Sequence, residues 1–243
     1  MKLYDETIRQ VLDTLEGYPC KRLNSNGTPW EDVGDHNLIL RADMAYELGG
    51  GTYPAVSCMA VTADTSFVEE DGVYLIGPDL GEISADTPYA RIALVRVDAD
   101  GMGDGNALYN AIRKIEYVRY HINPKGYMTR ISASNGREPV RVGKEALAEG
   151  LDFAKVGQLF LNRYHENPHI QAVKLFFVTL PEFDYKRLGQ LSAQCESITG
   201  TIDHIMKDVL MDCKSCSLQQ VCDEVEGLRE LHFASMKEKE GNR

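Results

Sequence analysis

Three of the six cysteines fall within ten residues, in Cys213-Lys214-Ser215-Cys216-Ser217-Leu218-Gln219-Gln220-Val221-Cys222. A C-x-x-C spacing lets two thiolates converge on one centre from a tight turn, and a third thiolate six positions later closes most of a tetrahedron. A fourth ligand is needed, and the sequence offers Cys195 upstream and His232 ten residues beyond Cys222. Three thiolates with one imidazole suit zinc. Either that set or four thiolates can hold an iron–sulfur cluster, so ligand type alone does not name the metal. Buried free cysteines without a metal are the plain alternative. Cys20 and Cys58 stand alone and read as small core residues.

A second chemical feature lies in residues 113–144. Arg113, Lys114, Arg119, Lys125, Arg130, Arg137, Arg141 and Lys144 face only two acidic residues, Glu116 and Glu138. Such a local cationic excess could hold a phosphate-bearing ligand, or it could be a solvated face. The segment Gly101-Met102-Gly103-Asp104-Gly105-Asn106 sits between an expected strand and an expected helix, where backbone N–H groups can cradle phosphate. It lacks the lysine of a Walker loop and the third glycine of a dinucleotide fingerprint, so it reads as a turn. His36, His121, His165, His169 and His204 are scattered and suggest surface or structural roles.

Composition bounds these readings. With 243 residues the chain can bury a core without covalent staples, and 43% hydrophobic with 26% charged residues is a globular composition. No apolar run approaches the roughly 20 residues that span a bilayer. The N-terminus carries Asp5 and Glu6 without an apolar stretch behind them, which is not a secretory signal. The expected location is the cytoplasm, where thiols stay reduced and clustered cysteines favour metal. A net charge of −11 argues against nucleic acid or an anionic membrane as main partner.

The elements that must position these groups follow from periodicity. Ile8, Val11, Leu12 and Leu15 predict a helix over 4–18, and 20–36 reads as a surface loop anchored by Trp30. Strands are expected over 38–44, 55–62, 73–76, 91–97, 127–133 and 170–180. Helices are expected over 106–122, 143–149, 153–165 and 183–210, the last with breaks near Gly189 and Gly200. Without regular βαβ alternation, the fold class is α+β: a mixed or antiparallel sheet with packed helices, followed by a short C-terminal metal-binding segment. The expected division is an N-terminal helix and loop over 1–37, an α+β domain over 38–195, and a helix with the cysteine segment over 196–243.

The ordered landmarks Glu47-Leu48-Gly49-Gly50, Ile76-Gly77-Pro78-Asp79-Leu80, 141–150, Val156-Gly157-Gln158-Leu159 and Val178-Thr179-Leu180 precede the cysteine stretch. Together they make residues 46–232 resemble the middle region and the start of the C-terminal region of CO-methylating acetyl-CoA synthase. That family supplies the β subunit of CO dehydrogenase/acetyl-CoA synthase complexes. The resemblance implies a [4Fe–4S] cluster with Cys213, Cys216 and Cys222 on its first three ligand positions. His232 stands where the family has its fourth cysteine, and imidazole there would raise the reduction potential. The gap between Cys216 and Cys222 is shorter than the family's.

The family's nickel uses a later Cys-Gly-Cys motif that does not occur in these 243 residues, so nickel is not expected from this chain's own ligands. The middle region of the family binds CoA through arginines. This implies a CoA-like ligand near Arg113, Lys114, Arg119, Arg130, Arg137, Arg141 and Lys144, with no individual residue matched. The leading expectation is an iron–sulfur protein working in electron transfer, or as an accessory in one-carbon or corrinoid metabolism, with a redox or corrinoid protein as partner. Active acetyl transfer from a methyl group, CO and CoA is one alternative, and a zinc-stapled interaction domain is the other.

Overall fold

A computed structural model of the chain describes residues 2–24, 29–36, 41–103, 105–130 and 137–206. It is α+β. The elements run α1 (Asp5–Glu16), β1 (Lys21–Leu23), β2 (Ala45–Leu48), β3 (Ala55–Thr62), β4 (Gly72–Ile76), β5 (Tyr89–Val97), α2 (Gly105–Tyr117), β6 (Tyr127–Thr129), β7 (Val140–Gly143), α3 (Lys144–Ala148), α4 (Phe153–Tyr164), β8 (Ile170–Val178) and α5 (Tyr185–Met206).

Five strands form a mixed sheet in the order β1-β4-β8-β5-β3. β4 with β8 and β3 with β5 run parallel, while β1 with β4 and β5 with β8 run antiparallel. The central strands β5 and β8 are almost wholly buried, which is why their sequences read as apolar runs rather than alternations. A second, antiparallel sheet runs β2-β7-β6.

Successive side chains of a strand point to opposite faces, and helices cover both sides of the large sheet. On β3, Ser57 reaches Arg91 on the side where α4 packs, while Cys58 meets Cys195 of α5. Leu188, Leu191, Cys195, Ile198 and Ile202 form one continuous buried stripe on α5. α1 and α2 pack on α5, and Tyr4 and Thr199 share a hydrogen bond of 2.9 Å across the α1–α5 contact. The helical stripe read at Leu108, Ile112, Ile115, Val118 and Ile122 is buried throughout.

Several expected boundaries move. Residues 42–44 are a 3-10 turn and the strand is β2 over 45–48, with 37–40 outside the described residues. The loop read over 20–36 contains β1, held by its ladder to β4 and too short to show a period. Trp30 anchors that loop by donating Nε1–H to the Lys125 carbonyl at 2.9 Å. α5 runs unbroken through Gly189 and Gly200, because neither glycine leaves the helical conformation.

Glycine at 200 is replaceable and glycine at 157 is not. A Cβ at Gly200 would meet nothing within 4 Å, whereas a Cβ at Gly157 would stand 2.5 Å from Val73 Cγ1, where α4 presses on β4. Gly200→Ala should therefore raise the unfolding free energy by about 0.5–1 kcal/mol. Gly157→Ala should lower it by about 1–3 kcal/mol by overpacking. Urea unfolding of the two variants measures both signs.

Candidate functional site: buried ion pairs, a cationic groove and the cysteines

The cationic stretch does not converge on one site. Arg113 pairs with Glu116 one turn along α2. Arg141 on β7 donates from Nε to Glu47 of β2 at 2.7 Å, and Arg130 takes the same carboxylate. Arg137 donates to the carbonyls of Gly49 at 2.9 Å and Tyr53 at 2.8 Å, tying down the loop before β3. Lys144 donates to the Asp43 carbonyl at 3.0 Å and lies over the Tyr46 ring. Lys125 pairs with Glu149 at 2.9 Å. Most of the excess positive charge is thus spent on carboxylates and carbonyls from outside the stretch.

Arg119 belongs to a buried cluster that sequence reading missed. Arg91, in the middle of β5, makes a bidentate contact with Glu138 at 2.8 and 2.9 Å, and both side chains are 1% exposed. Arg91 Nη2 also donates to Ser57 Oγ at 3.0 Å, and its guanidinium lies over the Phe160 ring. Arg119 approaches the same carboxylate at 3.6 Å. Burial pushes the Glu138 carboxyl up, but the charge and hydrogen bonds of Arg91, with help from Arg119 and Ser57, outweigh it and hold it below the usual range. Burial likewise disfavours charged Arg91, and Glu138 reverses that. Beside the pair, Tyr89 and Tyr127 share a hydrogen bond of 2.7 Å between the two sheets. The signal available in the sequence was an arginine inside an apolar run, Tyr89-Ala90-Arg91-Ile92-Ala93-Leu94-Val95.

Among the described residues, recesses open on the surface at two places of note. One, of about 270 Å³, lies between α5 and the start of β3 and includes Arg137, Ser192 and Glu196. The other, of about 610 Å³, runs along α2 opposite the turn from α4 into β8. Lys114, His121, Arg163 and His169 line it, and its floor includes Gly101 and Met102 of the glycine-rich turn.

Of the expected metal ligands, Cys213, Cys216, Cys222 and His232 lie outside the described residues. Cys195 is buried in the α5–β3 contact, where a hydrogen bond with Cys58 and burial push its thiol well up. Cys58 is a core residue as expected, whereas Cys20 is exposed, immediately before the edge strand β1. Among the described residues, no three of His, Cys, Asp and Glu gather where they could hold a metal ion.

The landmark segments meet in pairs. The Thr179 N–H donates to the Ile76 carbonyl at 2.9 Å and its hydroxyl to Pro78 at 2.6 Å, so Gly77-Pro78-Asp79 and Val178-Thr179-Leu180 close the same end of the large sheet. Asp79 Oδ1 accepts from the Leu80 and Phe153 N–H groups at 2.7 and 2.9 Å, fixing the start of α4. Glu47 and Arg141 join the remaining two. The family model described as CO dehydrogenase/acetyl-CoA synthase complex beta subunit matches residues 34–182. The chain belongs to that family. The match takes in every strand from β2 to β8 and the Arg91–Glu138 pair, and it stops before the cysteine stretch. No curated protein matches the sequence. Among the described residues, no helix is long and apolar enough to cross a membrane.

Proposed function

We propose that this member of the family is an iron–sulfur protein that carries a [4Fe–4S] cluster on Cys213, Cys216, Cys222 and His232. It exchanges electrons with a redox or corrinoid protein of one-carbon metabolism. The observation that carries the reading is three cysteines within ten residues in a chain whose preceding domain matches this family. The donor set fits the group: thiolates satisfy iron, and an imidazole can replace one of them. His232 is preferred to Cys195 as fourth ligand because the Cys195 side chain is enclosed between α5 and β3 against Cys58.

A second reading, acetyl transfer from a methyl group, CO and CoA, is favoured by the family match itself. It would require nickel and a CoA-like ligand. Anaerobic purification with metal and sulfide analysis separates the readings. About four irons per chain with matching sulfide are expected for the first. Nickel in addition supports the second, and zinc alone removes both in favour of a zinc-stapled interaction domain.

A further inference from the structure

The cationic residues of 113–144 are nearly all accounted for by partners, and the exception points elsewhere. Among the described residues, the side chains of Lys114 and His121 make no hydrogen bond or ion pair, and both residues are exposed on the wall of the 610 Å³ groove. The opposite wall brings His169, Asn167 and Arg163 from the turn between α4 and β8. Among the described residues, the one carboxylate on the lining, Glu166, is held by Arg163 at 2.8 and 2.9 Å. Asn110 adds an amide from α2. Among the described residues, the charged or ionisable groups left uncompensated on the groove are therefore nitrogen groups from two separate elements.

The placement of His169 is built into the backbone. Gly101 lies directly against its imidazole, and a Cβ at Gly101 would collide with Nδ1 and the neighbouring ring carbons. The His169 N–H is in turn fixed by the Asn167 side chain at 3.1 Å, and its carbonyl accepts from Asp98 at 2.8 Å. The absence of a side chain at Gly101 thus sets the ring on the groove wall opposite Lys114.

We propose that this groove binds a small phosphate ester, with the phosphate between Lys114, His121 and His169 and the organic part along α2. Charge-assisted hydrogen bonds to phosphate are the strong ones available to these side chains. A small anion samples only the local cationic wall, since screening extends over roughly 8–10 Å at physiological salt. A polyanion would instead meet the net charge of −11. The inference stands independently of the cluster, because no groove residue belongs to the cysteine set.

The test is a titration of the full chain, labelled with ¹³C at histidine, with glycerol 3-phosphate, using glycerol as the neutral control. Saturable shifts of the His121 and His169 ring signals are expected with an apparent Kd of about 1 mM or tighter. Lys114→Gln, at an exposed position, should weaken binding about tenfold with unchanged thermal unfolding. Gly101→Ala should abolish the His169 shift. Shifts that fail to saturate, that glycerol reproduces, or that Lys114→Gln leaves intact would overturn the proposal.

Discussion

Replacing Glu138 by alanine is expected to lower the unfolding free energy by about 3–5 kcal/mol, the range for removing one partner of a buried ion pair. Glu138 and Arg91 are each 1% exposed, so water cannot take over when the carboxylate is lost. Among the described residues, Arg91 Nη1 makes no well-formed hydrogen bond, and the substitution would leave Nε without a partner as well. Arg119, itself carrying an unpartnered Nε, would lose the same anion. By contrast, Arg113→Ala breaks a pair whose arginine is 39% exposed, and should cost no more than about 1 kcal/mol. Urea unfolding followed by circular dichroism distinguishes the two. The double variant Arg91→Met with Glu138→Leu should recover most of the loss, because neither charge of the buried pair is then left alone and Arg119, 22% exposed, can still reach water. A Glu138→Ala effect below that of Arg113→Ala would contradict the buried-pair account.

The same pair sets an acid limit. Arg91 holds the Glu138 carboxyl below its ordinary range, so the folded state binds that proton less readily than the unfolded chain. The stabilisation is fully present above the unfolded glutamate pKa of about 4.3, and is lost as pH falls through the lower folded value. Wild-type stability should therefore drop on acidification below about pH 4. Glu138→Ala should flatten that part of the curve, since it has no carboxylate left to protonate.

Local signals predicted local features well. The stripes Leu108-Ile112-Ile115 and Ile8-Val11-Leu15 give α2 and α1, because a helix writes its buried face into a single contiguous stretch. β1 and β7 were missed for the opposite reason: three and four residues are too few to establish an alternation, and each exists through its ladder with a distant strand. Gly200 misled because glycine marks a break only where the chain needs a conformation that other residues avoid. The basic stretch misled more deeply. Its charges are neighbours in sequence, but Glu47, distant in sequence, and the carbonyls of Gly49 and Tyr53 claim three of its arginines. Pairing across 80 or more positions, as between Arg141 and Glu47, leaves no trace in a charge count. The Arg91–Glu138 pair was hidden in the same way, although an arginine amid the apolar residues of β5 already demanded a buried acid.

On the proposed ligand set, serine at Cys216 is expected to reduce iron from about four per chain to near zero and to remove the visible absorption, because a serine hydroxyl is a poor substitute for a thiolate ligand to iron. Cys213→Ser and Cys222→Ser should do the same. Cys195→Ser is the discriminating control. Its side chain lies in the α5–β3 core, so the variant should keep its iron while unfolding at a lower urea concentration. His232→Cys should keep the cluster and shift its reduction potential negative by on the order of 100 mV, since thiolate replaces a neutral ligand and adds negative charge. Iron content and potential therefore respond differently to the two candidate fourth ligands. Loss of iron in Cys195→Ser, together with an unmoved potential in His232→Cys, would transfer the fourth position to Cys195. That result would require α5 to turn its buried stripe away from β3.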